Sequence, residues 1–531
     1  MIIVTDVLLK GGTIVDGTGG TPFVGDVAML GDSITVVSVG DSRVGEAELE
    51  VDCRGRLVTP GFIDIHTHSD VSFLLDPEAG SKLVQGVTTE VVGNCGFSTF
   101  PVCPRRRGAL VEFLNGLGIP SFDLSWEDFE GYAEVLQAAR PVMNVVPLVG
   151  HGSLRIAASG TEDVVVTDGV LADMVKRLRR CLEQGAFGMS TGLTYVPSGF
   201  AQPAEIDTLV RTVRDHDGLY ATHARFTPDG FGTFHEAIGV GRRTGARIQY
   251  SHVALNDPRT WGKAATVLEL FETAEASGID IRYDVYPYAA SASSLTQYLP
   301  AWLQEAGEEG IREALDDRTT FLRAREELGT GLFGTIPWEW DRVVIALAGP
   351  GDRELEGMNV AEAAEASEVS PLDLCLRLSA RHGNRVQVVL FYRSEADVAE
   401  FLAHPFAVVG SDGTAMAETA PGHPHPRSFG AHARLLERYV FGERRLSLAD
   451  AVHKSTLAAS RRLGITDRGV LARGAKADVV VLDADLVRER ATWAEPRRFA
   501  EGVGDVWING HRAIAGGVPT GRRTGRVLRH R

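Results

Sequence analysis

Histidines 66 and 68 stand one residue apart in "GFIDIHTHSD", at the end of a short apolar run. Side chains on a strand alternate faces with a period of two, so both imidazoles point the same way and can grip one ion. Four more residues of metal-binding or acid–base type close comparable runs: Cys95 in "TTEVVGNCG", His223 in "GLYATH", His252 in "ARIQYSH" and Asp412 in "FAVVGSDG". Imidazole and thiolate are ligands that suit Zn²⁺, and a carboxylate completes such a set. Asp412 offers a second capacity, because a carboxylate at a strand end can take the proton of an attacking water and return it to a leaving nitrogen. The chemistry implied is metal-assisted hydrolysis. Each feature alone has an ordinary reading: the HxH pair as surface polarity, the cysteine as a small buried hydrophobe, "GSDG" as a turn with a helix-capping aspartate. Their recurrence at the same end of independent runs favours a shared site.

The elements that would position them are eight short β-branched or apolar runs between residue 61 and about residue 412, mostly separated by amphipathic, helix-like stretches. Alternating patterns of this kind predict parallel strands with crossover helices, and eight units close a (β/α)₈ barrel of the TIM type, an α/β fold whose strand C-termini meet at one mouth. Ser190, and Asp284 with Tyr286, fall at the same ends. His151 reads as a packing or hydrogen-bonding residue of the rim, and His216, His235, His382, His404 and His530 as surface residues. "RVVIALA" and "VQVVLFY" are also strand-like, so the count carries an uncertainty of one. A helical stretch after "DVYPY" predicts an insertion at about 289–345. Glycine-punctuated strands recur in residues 1–60 and 470–531, which predicts a small β-sandwich domain built from both termini around a catalytic barrel at 61–469. The closing "RRTGRVLRHR" reads as a frayed basic tail.

Of 531 residues, 44% are hydrophobic and 23% charged, an ordinary globular composition; 54 basic against 70 acidic residues leave a net charge of −16. Phosphate backbones and anionic membrane surfaces are repelled, so neither nucleic acid nor membrane is an expected partner, and a small molecule is. Asp6 interrupts the first apolar run and no basic segment precedes it, unlike a signal peptide, and no apolar stretch reaches ~18 residues. Five scattered cysteines form no CxxC pair, which argues against a disulfide framework and for a reducing cytoplasm. A homo-oligomer is left open.

The segments "GFIDIHTH", "GVTTEVVGNCGFS", "LVGHGSLR", "GAFGMSTGLTYVPSG", "SHVALNDPRTWGK", "DVYPYAASASSL", "HPRSFG" and "DRGVLARGAKADVVVLD" together resemble the D-aminoacylase (N-acyl-D-amino-acid deacylase) family of the amidohydrolase superfamily. The resemblance covers nearly the whole chain, and "GNCGFS" is its most specific element. It implies zinc-dependent hydrolysis of an amide on a D-amino-acid nitrogen by a barrel carrying a β-sandwich. By position, Cys95, His223 and His252 resemble the family's tight zinc site. His66 and His68, with Cys95 shared, resemble a second, weaker site, and Asp412 the general acid/base. Tyr195, Tyr286, Ser291 and Ser293 match substrate-side segments. One departure concerns the anchor of the substrate carboxylate: Ala254 stands where the family usually has a lysine, and Arg225 and Arg427 are the cations that could replace it. A hydrolase of a cyclic amide, imide or lactone is the alternative enzyme, although the fourth run, "GAFGMSTGL", has no lysine to bridge two metals. A metal-free scaffold would lack ligands, and all six are present.

Overall fold

The computed structural model describes residues 5–40, 47–76, 80–118 and 122–530. Residues 1–4, 41–46 and 531 of the expected β-domain lie outside them.

Three parallel strands, Phe62–Asp64, Val87–Val92 and Asn144–Pro147, pair in that order. Six more, Val149–Gly150, Gly188–Gly192, Leu219–His223, Arg247–Tyr250, Ile281–Val285 and Ala407–Val409, pair in chain order as a second parallel set. Asn144–Pro147 and Val149–Gly150 are one interrupted strand, and Leu148 N donates to Val92 O at 2.9 Å across the break. At the other side Ile65 N donates to Val409 O at 3.5 Å, and Thr67 bridges Gly413. The parallel strands therefore coincide with the eight runs read from the sequence. They are almost wholly buried on both faces, as strands covered by crossover helices must be. The helix Asp168–Glu183 shows how the cover is written: Thr167 accepts from Val170 N as its cap, and Met174, Leu178, Cys181 and Leu182 form the single buried stripe.

Both ends of the chain share a nine-stranded sheet, in which Leu57–Pro60 pairs antiparallel with Val479–Leu482. Val7, Leu9, Ile14, Val27, Met29, Val479, Val481 and Trp507 fill its core.

Two further features stand beside the parallel strands. After Ile281–Val285, where the sequence predicts an insertion at about 289–345, Ser291–Ser294, Val343–Leu347 and Gln387–Leu390 form an antiparallel sheet, and a separate core runs from Leu295 to Tyr392. "RVVIALA" and "VQVVLFY" are thus strands, but of this sheet. Residues 525–530 of the basic tail are not frayed. Val145 N donates to Arg526 O, Leu528 N to Val145 O and His530 N to Gly185 O, while Arg529 pairs with Glu130 at 2.6 Å. Backbone pairing needs no hydrophobic period, so composition gave no sign of it.

Candidate metal centre

His66 and His68 follow the short strand Phe62–Asp64, and Asp64 fixes where they leave it. Its carboxylate accepts from Ser411 N at 2.8 Å, tying the first parallel strand to the last, and Lys82 Nζ donates to it at 3.1 Å within a fully buried ion pair. Cys95, His252 and Asp412 all have left-handed backbone, with φ of 53°, 38° and 53°. Such conformations cost residues with a Cβ on the order of 1–3 kcal/mol and persist where surrounding contacts impose them, typically at functional sites. Here each lies two or three residues beyond the end of a parallel strand. Asp412 is held by its own N–H, which donates to His66 O at 2.7 Å.

The result is a compact quartet. One ligand atom each from His66, Cys95, His252 and Asp412 lies within 4.8 Å of all the others. Cys95 Sγ is 3.3 Å from both His66 Nε2 and His252 Nε2. Asp412 Oδ1 is 3.0 Å from His68 Nε2 and 3.4 Å from His66 Nε2, and Arg427 Nη1 donates to Asp412 Oδ2 at 2.6 Å. Two nitrogens, one sulfur and one carboxylate oxygen at this spacing fit a Zn²⁺-type ion. Beside the quartet, His68 Nδ1 and His223 Nδ1 are buried without a partner.

His223 stands outside the quartet. Its Nε2 meets Thr194 Oγ1 at 2.8 Å, while its ring lies 4.6 Å from that of His252. The grouping of Cys95, His223 and His252 expected from the resemblance therefore differs from the four atoms that converge here, with Cys95 and His252 common to both.

The electrostatics match a site built for a cation. Burial pushes the Cys95 thiol up to about 11 despite His66 beside it, so a thiolate there needs positive charge. Burial also works against the Asp412 carboxylate, but the Arg427 guanidinium and the hydrogen bond from His68 hold it well below the usual carboxylate range. Burial drives His223 down to about 3 and His252 well below its ordinary value, leaving neutral imidazoles able to ligate.

The remaining sequence candidates separate. The Tyr286 hydroxyl accepts from Arg427 Nη1 at 3.1 Å, which ties it to the guanidinium that pairs with Asp412. The Tyr195 ring packs 4.9 Å from His223. Ser293 Oγ bonds Gln297, and Ser291 pairs with Leu390 in the antiparallel sheet. Arg225 does not join them: it donates to Gly199 O and Ala201 O and sits 3.5 Å from Glu236. It ties a rim loop, which leaves Arg427 as the guanidinium at the carboxylate. His151 hydrogen-bonds Ser198 and Glu205, each at 2.9 Å, in its expected packing role. His382, read as a surface residue, is instead largely covered and pairs with Asp352 at 2.7 Å.

Three contributors had no assigned role in the sequence. Asp284 bonds both His66 and His252, and its place at a strand end was the available signal. Thr194 and Lys82 gave none.

With this geometry in place, the comparisons are specific. The model of the amidohydrolase family matches residues 49–514. The N-acyl-D-glutamate deacylase of Alcaligenes xylosoxydans xylosoxydans is 35% identical over 526 residues, covering 99% of this chain and 96% of that protein. The D-aminoacylase of the same organism is 31% identical over 524 residues, covering 98% and 97%. A crystal structure of N-acyl-D-glutamate deacylase from Bordetella bronchiseptica, complexed with zinc and a phosphonate inhibitor that mimics the tetrahedral intermediate, superposes with a TM-score of 0.83 at 32% identity, covering 99% and 100%. The chain belongs to the amidohydrolase family and, within it, groups with the D-aminoacylases whose motifs it carries.

Proposed function

We propose that the protein is a zinc-dependent amidohydrolase that removes the acyl group from the nitrogen of an N-acyl-D-amino acid. The observation that carries this is the convergence of His66, Cys95, His252 and Asp412, with Arg427 on the far oxygen of the same carboxylate. The relatives' printed activities and the zinc bound in the Bordetella enzyme support it. The eight parallel strands read as a closed (β/α)₈ barrel, the shared nine-stranded sheet as a separate β-domain of both termini, and the segment to about residue 392 as an insertion over the mouth.

Cys95 and His252 are the centre of the ligand set. With His66 and Asp412 they make the quartet, and with His223, whose Nδ1 is buried and unpartnered, they make the trio of a tight site; His66 and His68 then face a second, weaker position. Zinc, when bound, supplies a Lewis acid that polarises the acyl carbonyl and eases deprotonation of water. Asp412, held ionised by Arg427 and His68, takes a proton from the attacking water at its carboxylate. As the C–N bond breaks it returns that proton to the nitrogen, so an amine and a carboxylate leave. The α-carbon is bonded to that nitrogen, and Arg427 with Tyr286 therefore lies where an α-carboxylate would be held. Tyr195, Ser291 and Ser293 line the substrate side. Five free cysteines fit a reducing cytoplasm.

The test is amine release from matched N-acetyl-D- and N-acetyl-L-amino acids, with bound zinc quantified in the same preparation. Turnover confined to the D series is expected. A zinc-loaded protein silent on both series would refute the deacylase reading.

A further inference from the structure

The imidazoles of the mouth are oriented by partners of different kinds. His66 Nδ1 lies 2.9 Å from Asp284 and His68 Nε2 lies 3.0 Å from Asp412, both carboxylates. His223 Nε2 instead meets a neutral hydroxyl, Thr194 Oγ1, at 2.8 Å, and its Nδ1 is buried with no partner. A histidine that offers one ring nitrogen to a metal donates its other N–H to a fixed group, which sets both the tautomer and the ring orientation. With Nε2 as donor to Thr194, Nδ1 of His223 keeps its lone pair and is the atom left to ligate.

A threonine hydroxyl is a poor anchor unless something fixes it. The main chain around Thr194 is held, since Leu193 N donates to His223 O at 2.9 Å and Tyr195 N to Gly192 O at 3.0 Å. The half-buried side chain has other rotamers open to it, in which Oγ1 leaves the imidazole. Gln297 closes them. Its Nε2 donates to Thr194 Oγ1 at 2.9 Å, filling one lone pair of the hydroxyl and leaving the other for His223 Nε2–H. Gln297 is buried, and its far end is anchored too: Oε1 accepts from Ser293 Oγ, and its carbonyl oxygen accepts from Gln304 Nε2 at 3.1 Å. The short turn that carries it, Leu295–Tyr298, is pinned to the inserted segment by Leu295 N donating to Val386 O at 2.8 Å and Thr296 Oγ1 to Asn384 Oδ1 at 2.5 Å. An unbroken chain of hydrogen bonds therefore runs from Ser293 through Gln297 and Thr194 to His223.

Resting on the deacylase reading above, in which His223 is a zinc ligand, we propose that Gln297 is a positioning residue: through Thr194 it fixes the His223 ring with Nε2 as donor and Nδ1 as the ligand atom. The inserted segment then takes part in metal binding, although none of the six candidate ligands lies in it.

Zinc affinity, read by competition with a chromogenic chelator, tests this without reference to turnover. Thr194→Val and Gln297→Met, each close in shape to the residue replaced, should each weaken zinc by about tenfold, whereas Thr194→Ser keeps the hydroxyl and should stay within about threefold of native. Because Gln297 acts through Thr194, the double variant should bind zinc no more weakly than Thr194→Val alone. Loaded with Co²⁺, Gln297→Met and Thr194→Val should show the same displacement of the visible ligand-field bands, a signature of geometry at the metal that a packing defect elsewhere does not produce. Unchanged zinc affinity in Gln297→Met, losses that add in the double variant, or a Thr194→Ser protein as weak as Thr194→Val would each overturn the assignment. A native protein that binds zinc with this pattern of losses yet hydrolyses no N-acetyl-D-amino acid bears out the role of Gln297 and fails the deacylase reading. One that binds no zinc overturns both.

Discussion

Asp284 Oδ1 bonds both His66 Nδ1, at 2.9 Å, and the backbone N–H of His252, at 2.8 Å. One oxygen on the strand Ile281–Val285 therefore orients two members of the quartet. With Nδ1 engaged as donor, His66 presents Nε2 toward Cys95, and the turn that carries His252 is held in its left-handed conformation. Asp284→Asn should keep the fold and weaken zinc binding by about 10–100-fold, the usual cost of losing such a partner. Competition with a chromogenic chelator measures it. Unchanged zinc affinity would show that His66 and His252 are oriented by packing alone.

Asp412 is assigned the proton transfer. Asp412→Asn preserves size and the contact to Arg427 but cannot accept a proton, so kcat should fall by about 10²–10⁴-fold while bound zinc stays near the native level. Retention of near-native kcat would remove Asp412 from the chemistry, and loss of zinc would make it chiefly a ligand.

Cys95 is the ligand on which both candidate groupings depend. A chelator should abolish turnover of the native protein, and added Zn²⁺ should restore it. Cys95→Ala should bind no zinc under the same conditions and stay inactive after zinc is added, since an alanine has no donor. Full activity in that variant would sink the thiolate's role.

Much of this site was legible in the sequence because a strand's register is local. Each ligand follows directly from a short apolar run, and parallel pairing alone brings those run ends to one mouth. The sequence put His66, His68, Cys95, His223, His252 and Asp412 in one candidate set; register alone did not say that His66, Cys95, His252 and Asp412 are the four whose ligand atoms converge. What escaped depended on distance along the chain or on backbone conformation. Gln297 reaches Thr194 across 103 positions, and Thr194 takes Nε2 of His223 across 29. Neither contact leaves a pattern in composition or periodicity. "RVVIALA" and "VQVVLFY" stayed ambiguous for a related reason: such runs look like barrel strands, and only their antiparallel pairing tells them apart. The tail at 525–530 docks through main-chain bonds, to which side-chain patterns are blind.

Glu90 gives a prediction about stability, with a sign fixed by its surroundings. It is fully buried on the strand Val87–Val92; Ser69 Oγ donates to Oε1 at 3.0 Å, and Oε2 has no partner. Burial pushes its carboxyl up to about 8, against the pull of Lys82. The folded protein thus keeps a proton that the unfolded chain, with an ordinary glutamate value of about 4.3, has released. Between about pH 4.3 and 8 the folded state binds more protons than the unfolded one, so stability must fall as pH rises through this window, by at most about 1.4 kcal/mol per pH unit from this group. Glu90→Gln removes the titration while keeping an acceptor for Ser69. Urea midpoints of the zinc-saturated protein should therefore decline less steeply from pH 5 to 8 in the variant than in the native chain. Above pH 8 the variant should be the more stable of the two. Asp70, raised by burial to about 7, is untouched by the substitution, so some slope must remain. Parallel profiles for the two proteins would mean that Glu90 is ionised in the fold, with Lys82 as its effective counter-charge.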